Sequence, residues 1–195
     1  MHTVKQHPFS LFDEWYREAV AAGTLLPEAM AVATATRKGA PSVRMVLHRG
    51  FSRGGFVFYT SYDSRKAVEL RENARAAFVF HWPLLERQVR GEGRVEKVSR
   101  RESLRYFRSR PRESQMSAWA SPQSAAIAGR AFLEAEFARV QKRFTGKEIP
   151  CPPFWGGFRI VTNCIEFWQG QPHRLHDRVV FRRKGGTWRK FRLGP

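Results

Sequence analysis

The chain has 195 residues, of which 42% are hydrophobic and 13% aromatic, and it carries 35 Lys and Arg against 17 Asp and Glu. Such a length and composition fit one globular domain spanning residues 1–195 and exclude a disordered chain. There is no membrane-length apolar run, no signal-peptide pattern, and only Cys151 and Cys164. We therefore expect a cytoplasmic protein that has no membrane contact, disulfide framework or metal site.

The net charge of +18 favours phosphorylated small molecules or polyanions as partners. The basic residues are scattered along the chain instead of forming a tail or one helix face. A basic nucleic-acid-binding domain is therefore kept as an alternative function, but no specific nucleic acid is expected as a partner.

In chain order, the first predicted element is a helix that Ser10 caps and that continues to about Ala22. Two further short helices are predicted at residues 65–73, opened by Ser64, and from Ser99 to Phe107, where Ser99 and Glu102 form a capping box. The longest predicted helix begins at Ser121-Pro122. The alternating pattern predicts strands at residues 31–37, 41–49, 56–60, 76–82, 88–97, 157–162, 165–169, 178–183 and 187–192.

Many short antiparallel strands with a few inserted helices favour a mainly β fold with added helices, built as a barrel. The strands do not alternate regularly with helices, and no Gly-x-Gly-x-x-Gly run follows a strand. A doubly wound parallel sheet with a nucleotide fingerprint is thus not expected.

Two loops have the composition of phosphate-binding sites. The run from Phe58 to Lys66 leads from a strand through hydroxyl residues into a helix that starts with Arg65 and Lys66. Hydroxyls, backbone N–H groups and two cations together suit a phosphate, although a capped surface helix is an equally good interpretation. Tyr106, Arg110 and Ser114 surround the rigid turn at Pro111 and suit a second phosphate.

The run from Phe167 to Arg178 combines an aromatic pair with histidines and arginines. Strand alternation would place Arg174, His176 and Arg178 on one face, where they could bind a phosphorylated aromatic ligand. A solvated basic strand is the alternative. Gln88, on another predicted strand, could hydrogen-bond the edge of a planar amide.

Taken together, these motifs resemble the pyridoxine (pyridoxamine) 5′-phosphate oxidase family over residues 9–195. The resemblance is carried, in order, by Arg44, Tyr59-Thr60, Ser64-Arg65-Lys66, Glu86-Arg87-Gln88-Val89, Tyr106-Phe107-x-Ser109-Arg110-Pro111-Arg112-x-Ser114-Gln115, Gln123-Ser124, Phe154-Trp155-Gly156-Gly157-Phe158-Arg159 and the run from Glu166 to Arg178.

The resemblance implies an FMN-binding split β-barrel, a homodimer with FMN between its subunits, and a role in vitamin B6 metabolism. The implied reaction oxidises pyridoxine 5′-phosphate and pyridoxamine 5′-phosphate to pyridoxal 5′-phosphate, with dioxygen as acceptor and hydrogen peroxide as product. The implied FMN-binding residues are Arg44, Tyr59, Thr60, Arg65, Lys66, Gln88, Gln123, Ser124, Trp168 and Arg178. The implied substrate-binding residues are Arg49, Tyr106, Arg110, Ser114, Arg174 and His176, of which Arg174 and His176 are also the implied catalytic pair.

The chain departs from the family pattern in two places. Arg49 stands where the family usually has a lysine, and His48 precedes it instead of an apolar residue. The segment before Pro8 is shorter than in longer members, which fold it over the active site. These departures keep open a related FMN oxidase that acts on another aromatic, such as a phenazine precursor, and a pyridoxal phosphate carrier with weak turnover.

Overall fold

The computed structural model describes residues 7–52 and 54–195. The prediction about the segment before Pro8 concerns mainly residues 1–6, which lie outside the described residues. The described residues form five α-helices, two short 3-10 helices and nine strands. The helices are α1 (Pro8–Ala21), α2 (Arg65–Glu72), α3 (Arg100–Ser109), α4 (Arg112–Ala120) and α5 (Arg130–Arg143). The strands are β1 (Ala29–Ala35), β2 (Pro41–Leu47), β3 (Phe51–Ser52), β4 (Gly55–Ser61), β5 (Arg75–Trp82), β6 (Arg87–Lys97), β7 (Trp155–Gln169), β8 (Asp177–Lys184) and β9 (Thr187–Leu193).

The strands form one antiparallel sheet in the order β2-β1-β5-β6-β7-β4-β3. Strand β7 is long enough to pair with three neighbours: its first half pairs with β4, its second half with β8, and almost its whole length with β6. Strand β9 continues the sheet beyond β8. The residues that follow β2 pair with β4: the Arg49 N–H donates to the Val57 carbonyl at 2.8 Å, and the Val57 N–H donates to the Gly50 carbonyl at 3.0 Å. The sheet therefore closes on itself, which confirms the mainly β barrel with added helices.

Helix α1 covers one side of the barrel. Pro8 stands at its first position, where the missing N–H has no cost. Phe12 is buried and packs on the rings of Phe56 and Phe80 at centroid distances of 5.0 Å and 4.9 Å. Truncating such a side chain to alanine typically costs about 3–5 kcal/mol, so this contact anchors α1 to the sheet. A second core, formed by Phe107, Met116, Val140 and Trp155, joins α3, α4 and α5 to β7.

Several predicted boundaries are wrong. Ser10 lies inside α1, and His7, the residue that precedes the helix, makes no side-chain cap. The long helix begins at Arg130 instead of Ser121, because residues 121–129 form an irregular loop that ends at Gly129 with φ of 157°. Helix α4 was not predicted, since Pro111 was interpreted only as a stop. Residues 157–162 and 165–169 belong to one strand, β7.

None of the helices in the described part of the chain is long and apolar enough to cross a membrane.

Candidate active site

Eight of the predicted site residues converge on one cleft of about 380 Å³ beside the end of β4. The cleft is bounded by β2, β4, the start of α2, the α3–α4 turn and the loop after α4. The predicted residues that line it are Arg49, Tyr59, Thr60, Lys66, Tyr106, Arg110, Ser114 and Gln123. Both predicted phosphate-binding loops thus border the same cavity.

Lys66 is a buried cation at the floor of this cleft. Its Nζ donates to the Thr60 hydroxyl at 3.0 Å and lies 3.4 Å from the Ser64 hydroxyl. In the described part of the chain, no carboxylate lies within ion-pair distance of it. Burial, together with the nearby charge of Arg44, lowers the pKa of Lys66 to about 8. Because a buried ammonium needs an anionic partner, this arrangement points to an acidic ligand.

Glu69 is the carboxylate that organises the arginines behind Lys66. It is buried, and its Oε1 accepts from Arg65 Nε at 2.9 Å while its Oε2 accepts from the Ser42 hydroxyl at 2.6 Å. Oε2 also accepts a short hydrogen bond from Thr34 and lies 3.4 Å from Arg44 Nη2. Burial raises the pKa of Glu69, but these hydrogen bonds and the Arg44 charge outweigh it and lower the pKa to about 2. Glu69 therefore stays ionised.

The loop after α4 closes this end of the cleft. Gln123 Oε1 accepts from the Thr60 hydroxyl at 2.8 Å and from the Ser61 N–H at 3.0 Å. Ser124 follows with a φ of 72° and lines a neighbouring cavity together with Arg65. Gln123 borders both cavities and thus sits where the phosphate-binding groups of β4 and α2 meet the loop.

Stacked aromatic rings form the opposite wall. The Tyr59 and Tyr106 rings stack at 4.0 Å, and Tyr59 stacks on Trp155 at 5.5 Å. The Arg110 guanidinium lies over the Trp155 ring at 4.8 Å. Its Nη1 is buried and has no hydrogen-bond partner within the described residues, and burial lowers the pKa of Arg110. The wall therefore presents a second desolvated cation to the cleft.

The position of Tyr59 depends on a glycine across the sheet. Tyr59 pairs with Gly157 in the β4–β7 register. A Cβ at Gly157 would lie 2.8 Å from the Tyr59 ring and 2.7 Å from Val98. Glycine therefore allows the ring to lie against the neighbouring strand. Burial, with smaller contributions from Glu102 and Tyr106, raises the pKa of Tyr59 to about 12, so its phenol remains a hydrogen-bond donor.

The two residues that depart from the family pattern have different environments. Arg49 lines the cleft, and its Nη1 lies 3.4 Å from Glu28. The His48 ring is buried between Phe12, Phe51, Phe56 and Phe80, and its Nδ1 has no partner among the described residues. Burial and the charge of Arg49 lower the pKa of His48 to about 4. His48 is thus a neutral core residue that takes the place of an apolar side chain.

The remaining predicted residues form a second group on β6, β7 and β8. Trp168 pairs with Gln88 on one side and with Arg178 on the other. Arg178 donates to buried Glu166 from Nε at 3.0 Å and from Nη2 at 3.1 Å, and its Nη1 donates to the Gly194 carbonyl at 2.7 Å. Arg90 donates to the same carboxylate at 2.7 Å. Arg178 is therefore held by acceptors of the protein itself.

Arg174, His176 and Arg178 do not share a strand face, so that prediction is wrong. The backbone turns after Pro172, because His173 and Arg174 adopt left-handed φ values of 58° and 62°, and β8 begins only at Asp177. Arg174 is exposed in this turn. The His176 ring lies 4.6 Å from Trp168, and its Nδ1 accepts from the Gln171 N–H at 3.2 Å. That hydrogen bond fixes which ring nitrogen can act as a donor.

The structure thus separates the predicted site into two groups within one chain. The cleft holds two cations, Lys66 and Arg110, for which the described residues supply no acidic partner, whereas the residues around Trp168 line no part of that cleft. Three side chains that position the first group have no role in the sequence-based prediction: Glu69, Ser42 and Trp155, the last of which belongs to one of the family motifs. The Arg65–Glu69 spacing of four on one helix was a usable signal for the first of these.

The donors in the cleft fit a phosphorylated cofactor such as FMN. A buried ammonium, two hydroxyls and the Gln123 amide meet at one end, and Arg65 and Arg44 stand behind them. These are the groups that bind phosphate monoesters in proteins. The unpartnered Arg110 Nη1 and the Tyr106 phenol leave room for a second anion at the other end.

Two family models match this chain. The model described as pyridoxamine 5′-phosphate oxidase matches residues 16–144, and the model described as the pyridoxine 5′-phosphate oxidase C-terminal dimerisation region matches residues 155–195. The chain belongs to the pyridoxamine 5′-phosphate oxidase family. The resemblance seen in the sequence motifs is thereby confirmed.

Curated relatives agree with this membership. A pyridoxine/pyridoxamine 5′-phosphate oxidase of Rubrobacter xylanophilus is 50% identical over 188 residues, covering 96% of this chain and 87% of the relative. Proteins of the same name from a Synechocystis species and from Coxiella burnetii are 50% and 48% identical. They cover 98% and 96% of this chain, and the matches span 90% and 95% of those relatives.

Two solved structures support the fold. PhzG from Burkholderia lata, in complex with tetrahydrophenazine-1-carboxylic acid, superposes with a TM-score of 0.93 at 29% identity, covering 99% of this chain and 95% of that chain. A pyridoxamine 5′-phosphate oxidase-related, FMN-binding protein from Nostoc punctiforme superposes with a TM-score of 0.78 at 15% identity, covering 98% and 99%. The split-barrel fold class predicted from the resemblance is thus confirmed.

Proposed function

We propose that this protein is an FMN-dependent oxidase that converts pyridoxine 5′-phosphate and pyridoxamine 5′-phosphate to pyridoxal 5′-phosphate. The observation that carries the proposal is the cleft with two desolvated cations, Lys66 and Arg110, at different positions in its lining. Two such cations suit two phosphates, one on the cofactor and one on the substrate. The curated relatives that share half of this sequence carry the name of this activity.

The proposed active site lies between two subunits. In one chain, the residues around Trp168 do not line the cleft of Lys66 and Arg110. The family resemblance nevertheless implies that residues of both groups bind one FMN. The match of residues 155–195 to a dimerisation region supports a homodimer. We propose that Gln88, Trp168, Arg174, His176 and Arg178 of one subunit complete the cleft of the other.

Each group of residues has a distinct role in this proposal. Arg44, Tyr59, Thr60, Arg65, Lys66, Gln88, Gln123, Ser124, Trp168 and Arg178 hold FMN, and Arg49, Tyr106, Arg110 and Ser114 hold the substrate phosphate. Held by these residues, FMN would supply the redox chemistry: uptake of a hydride equivalent from the substrate and transfer of the electrons to dioxygen, with hydrogen peroxide as the product. Pyridoxine phosphate gives its aldehyde directly, while pyridoxamine phosphate also consumes water and releases ammonia.

Arg174 and His176 are proposed to orient the substrate ring. The exposed guanidinium of Arg174 can cover the ring, where its positive charge stabilises electron density that develops during the transfer. His176 is held by Trp168 and by the Gln171 N–H, so its other ring nitrogen is positioned to donate to a ring substituent. These roles supply orientation and charge, and they require no strong base.

The absorbance spectrum of the purified protein, followed by a peroxide assay with pyridoxamine phosphate, tests the proposal. We expect a yellow protein that releases one hydrogen peroxide for each pyridoxal phosphate formed. Colourless protein that does not bind added FMN would exclude the function. Arg174→Ala should lower kcat more than FMN content, and Lys66→Ala should lower FMN affinity more than kcat of the loaded enzyme. The reverse pattern would refute these assignments.

The close superposition on PhzG supports a second candidate function, the oxidation of a phenazine precursor. The presence of Tyr106, Arg110 and Ser114 in the cleft favours a phosphorylated substrate instead. Turnover with pyridoxamine phosphate but not with a dihydrophenazine carboxylate would support the first candidate, and the opposite preference would support the second.

We also propose that residues 1–195 form one domain in the cytoplasm, although residues 1–6 lie outside the described residues. Strand β7, in the second matched region, pairs with β4 and β6 of the first, so the two regions share one sheet. Cys151 and Cys164 are both free thiols, as suits a reducing compartment. One cooperative unfolding transition and recovery in the soluble cytosolic fraction would support the two proposals.

A further inference from the structure

Glu69 is not among the residues that line the cleft, yet it forms ion pairs with Arg44 and Arg65. Each of its two carboxylate oxygens contacts a different arginine: Oε1 binds Arg65 Nε at 2.9 Å, and Oε2 lies 3.4 Å from Arg44 Nη2. The Arg65–Glu69 pair is an i,i+4 pair on α2, whereas Arg44 comes from β2. Glu69 thus links the helix that carries Lys66 to the strand that carries Arg44.

Strands β1 and β2 supply hydroxyl groups that hydrogen-bond this carboxylate. Thr34 and Ser42 stand opposite each other in the β1–β2 register, and both hydroxyls donate to Oε2. Arg44 in turn donates from Nη1 to the Val32 carbonyl at 3.1 Å and to the Thr34 hydroxyl at 2.6 Å. The guanidinium of Arg44 is therefore fixed by several acceptors that Glu69 helps to order.

The net charge of this network matches that of a phosphate ligand. Arg44, Arg65 and Lys66 are three cations around one carboxylate, which leaves two positive charges when all four groups are ionised. A phosphate monoester carries a charge of about −1.5 to −2 at neutral pH. The residual charge therefore matches one phosphate, and the side chains that bear it are held before the phosphate arrives.

We infer that Glu69 is a positioning residue for the FMN phosphate: it orients the Arg44 and Arg65 guanidiniums and sets their net charge without touching the cofactor. The inference rests on the proposed FMN function. Preorganised charges bind a ligand more tightly because fewer side-chain rotamers are lost on binding. Arg65 is largely exposed, so it has the most freedom to lose when Glu69 is removed.

The positioning role and a purely electrostatic role predict opposite results for Glu69→Gln. This substitution removes one negative charge beside the phosphate site, and Coulomb's law alone would then make FMN bind more tightly. Loss of guanidinium orientation makes FMN bind more weakly. Riboflavin, which lacks the phosphate, responds to neither effect.

The test measures Kd for FMN and for riboflavin with wild type, Glu69→Gln and the control Glu72→Gln, which changes an exposed residue of the same helix. We expect Glu69→Gln to raise the Kd for FMN about tenfold or more and to leave the Kd for riboflavin within about twofold. Glu72→Gln should change neither value. Unchanged or tighter FMN binding by Glu69→Gln would overturn the inference, as would an equal loss for both flavins.

A milder variant covers the case in which Glu69→Gln does not fold. Ser42→Ala removes one donor to Glu69 and one acceptor of Arg44 from the edge strand β2. It should weaken FMN binding several-fold and spare riboflavin, and an unchanged FMN Kd would overturn the inference. If wild type binds neither flavin, the proposed function fails instead, so the two failures are distinguishable.

Discussion

Two groups of charged side chains in this barrel, each with a buried member, are built in opposite ways. Around Glu166, Arg178 and Arg90 donate to one carboxylate, so the protein satisfies its own charges. In the described structure of the cleft, the hydrogen bonds of Lys66 Nζ go only to hydroxyls, and one buried nitrogen of Arg110 has no partner. The first arrangement holds the sheet together, and the second is complete only when an anion binds. Removing a charge should therefore cost stability in the first group and ligand affinity in the second.

Among the charged residues, the largest expected effect on stability comes from Glu166→Gln. The substitution leaves the Arg178 and Arg90 guanidiniums beside a neutral amide, and breaking a buried ion pair in this way costs about 2–3 kcal/mol when the arginines are partly exposed. Thermal unfolding should show Tm lowered by roughly 4–12 °C. Glu92→Gln, an exposed glutamate on β6, is the control and should leave Tm unchanged. An equal Tm for both variants would contradict the stabilising role assigned to the Glu166 ion pairs.

Arg110→Met should show the opposite pattern. The variant loses a charge-assisted hydrogen bond to the substrate phosphate, worth about 1.5–3 kcal/mol, so KM for pyridoxamine phosphate should rise by roughly 10–100-fold. Tm should not fall, because the removed guanidinium had a buried nitrogen without a partner in the described structure. Steady-state kinetics and thermal unfolding check the two halves. Arg108→Met, which removes an exposed arginine in the last turn of α3, two residues before Arg110, is the control. A large loss of Tm with unchanged KM would contradict this role.

These two predictions also show what the sequence could and could not reveal. Lys66, Arg110 and Ser114 were predicted because they stand in short runs whose composition alone suits phosphate. The partners Glu69 and Glu166 were not assigned roles, since their importance depends on strands and helices that meet only in the folded chain. Helix α4 was missed because Pro111 can end one helix and also precede the next. The prediction that Arg174 and Arg178 share a strand face was wrong because His173 and Arg174 adopt left-handed φ values, which sequence patterns rarely reveal for residues other than glycine.

His48 provides a third case, since its buried Nδ1 has no hydrogen-bond partner in the described part of the chain and the ring carries no charge. Its pKa in the folded protein is about 4, below the usual value near 6.5, so the unfolded chain binds a proton first as the pH falls. Stability should therefore decrease from pH 6.5 towards pH 4, by about 2 kcal/mol at pH 5. Denaturant unfolding at pH 7 and pH 5 should show this loss in wild type and in His81→Gln, but not in His48→Leu. Equal acid sensitivity of His48→Leu would contradict the assignment.

The smallest expected effect is the pH dependence of FMN binding. Lys66 has a pKa of about 8 in the protein without FMN, and its charged form binds the phosphate. FMN affinity should therefore fall by about tenfold between pH 7 and pH 9, a range in which the FMN phosphate stays doubly ionised. Fluorescence titration of FMN across this range measures the change. In Lys66→Met the affinity should be low throughout and independent of this titration, whereas a retained slope would assign the pH dependence to another group.

The most direct test of the account compares FMN with riboflavin, because the two flavins differ only in the phosphate for which the cleft is built. If Lys66 is a cation that lacks its anion, wild type should bind FMN about 100-fold more tightly than riboflavin, and Lys66→Met should reduce this ratio to about tenfold or less. The exposed Lys38→Met variant should keep the wild-type ratio. Equal affinity of wild type for both flavins, or an unchanged ratio in Lys66→Met, would contradict the central claim that the unpaired buried cation marks the phosphate site.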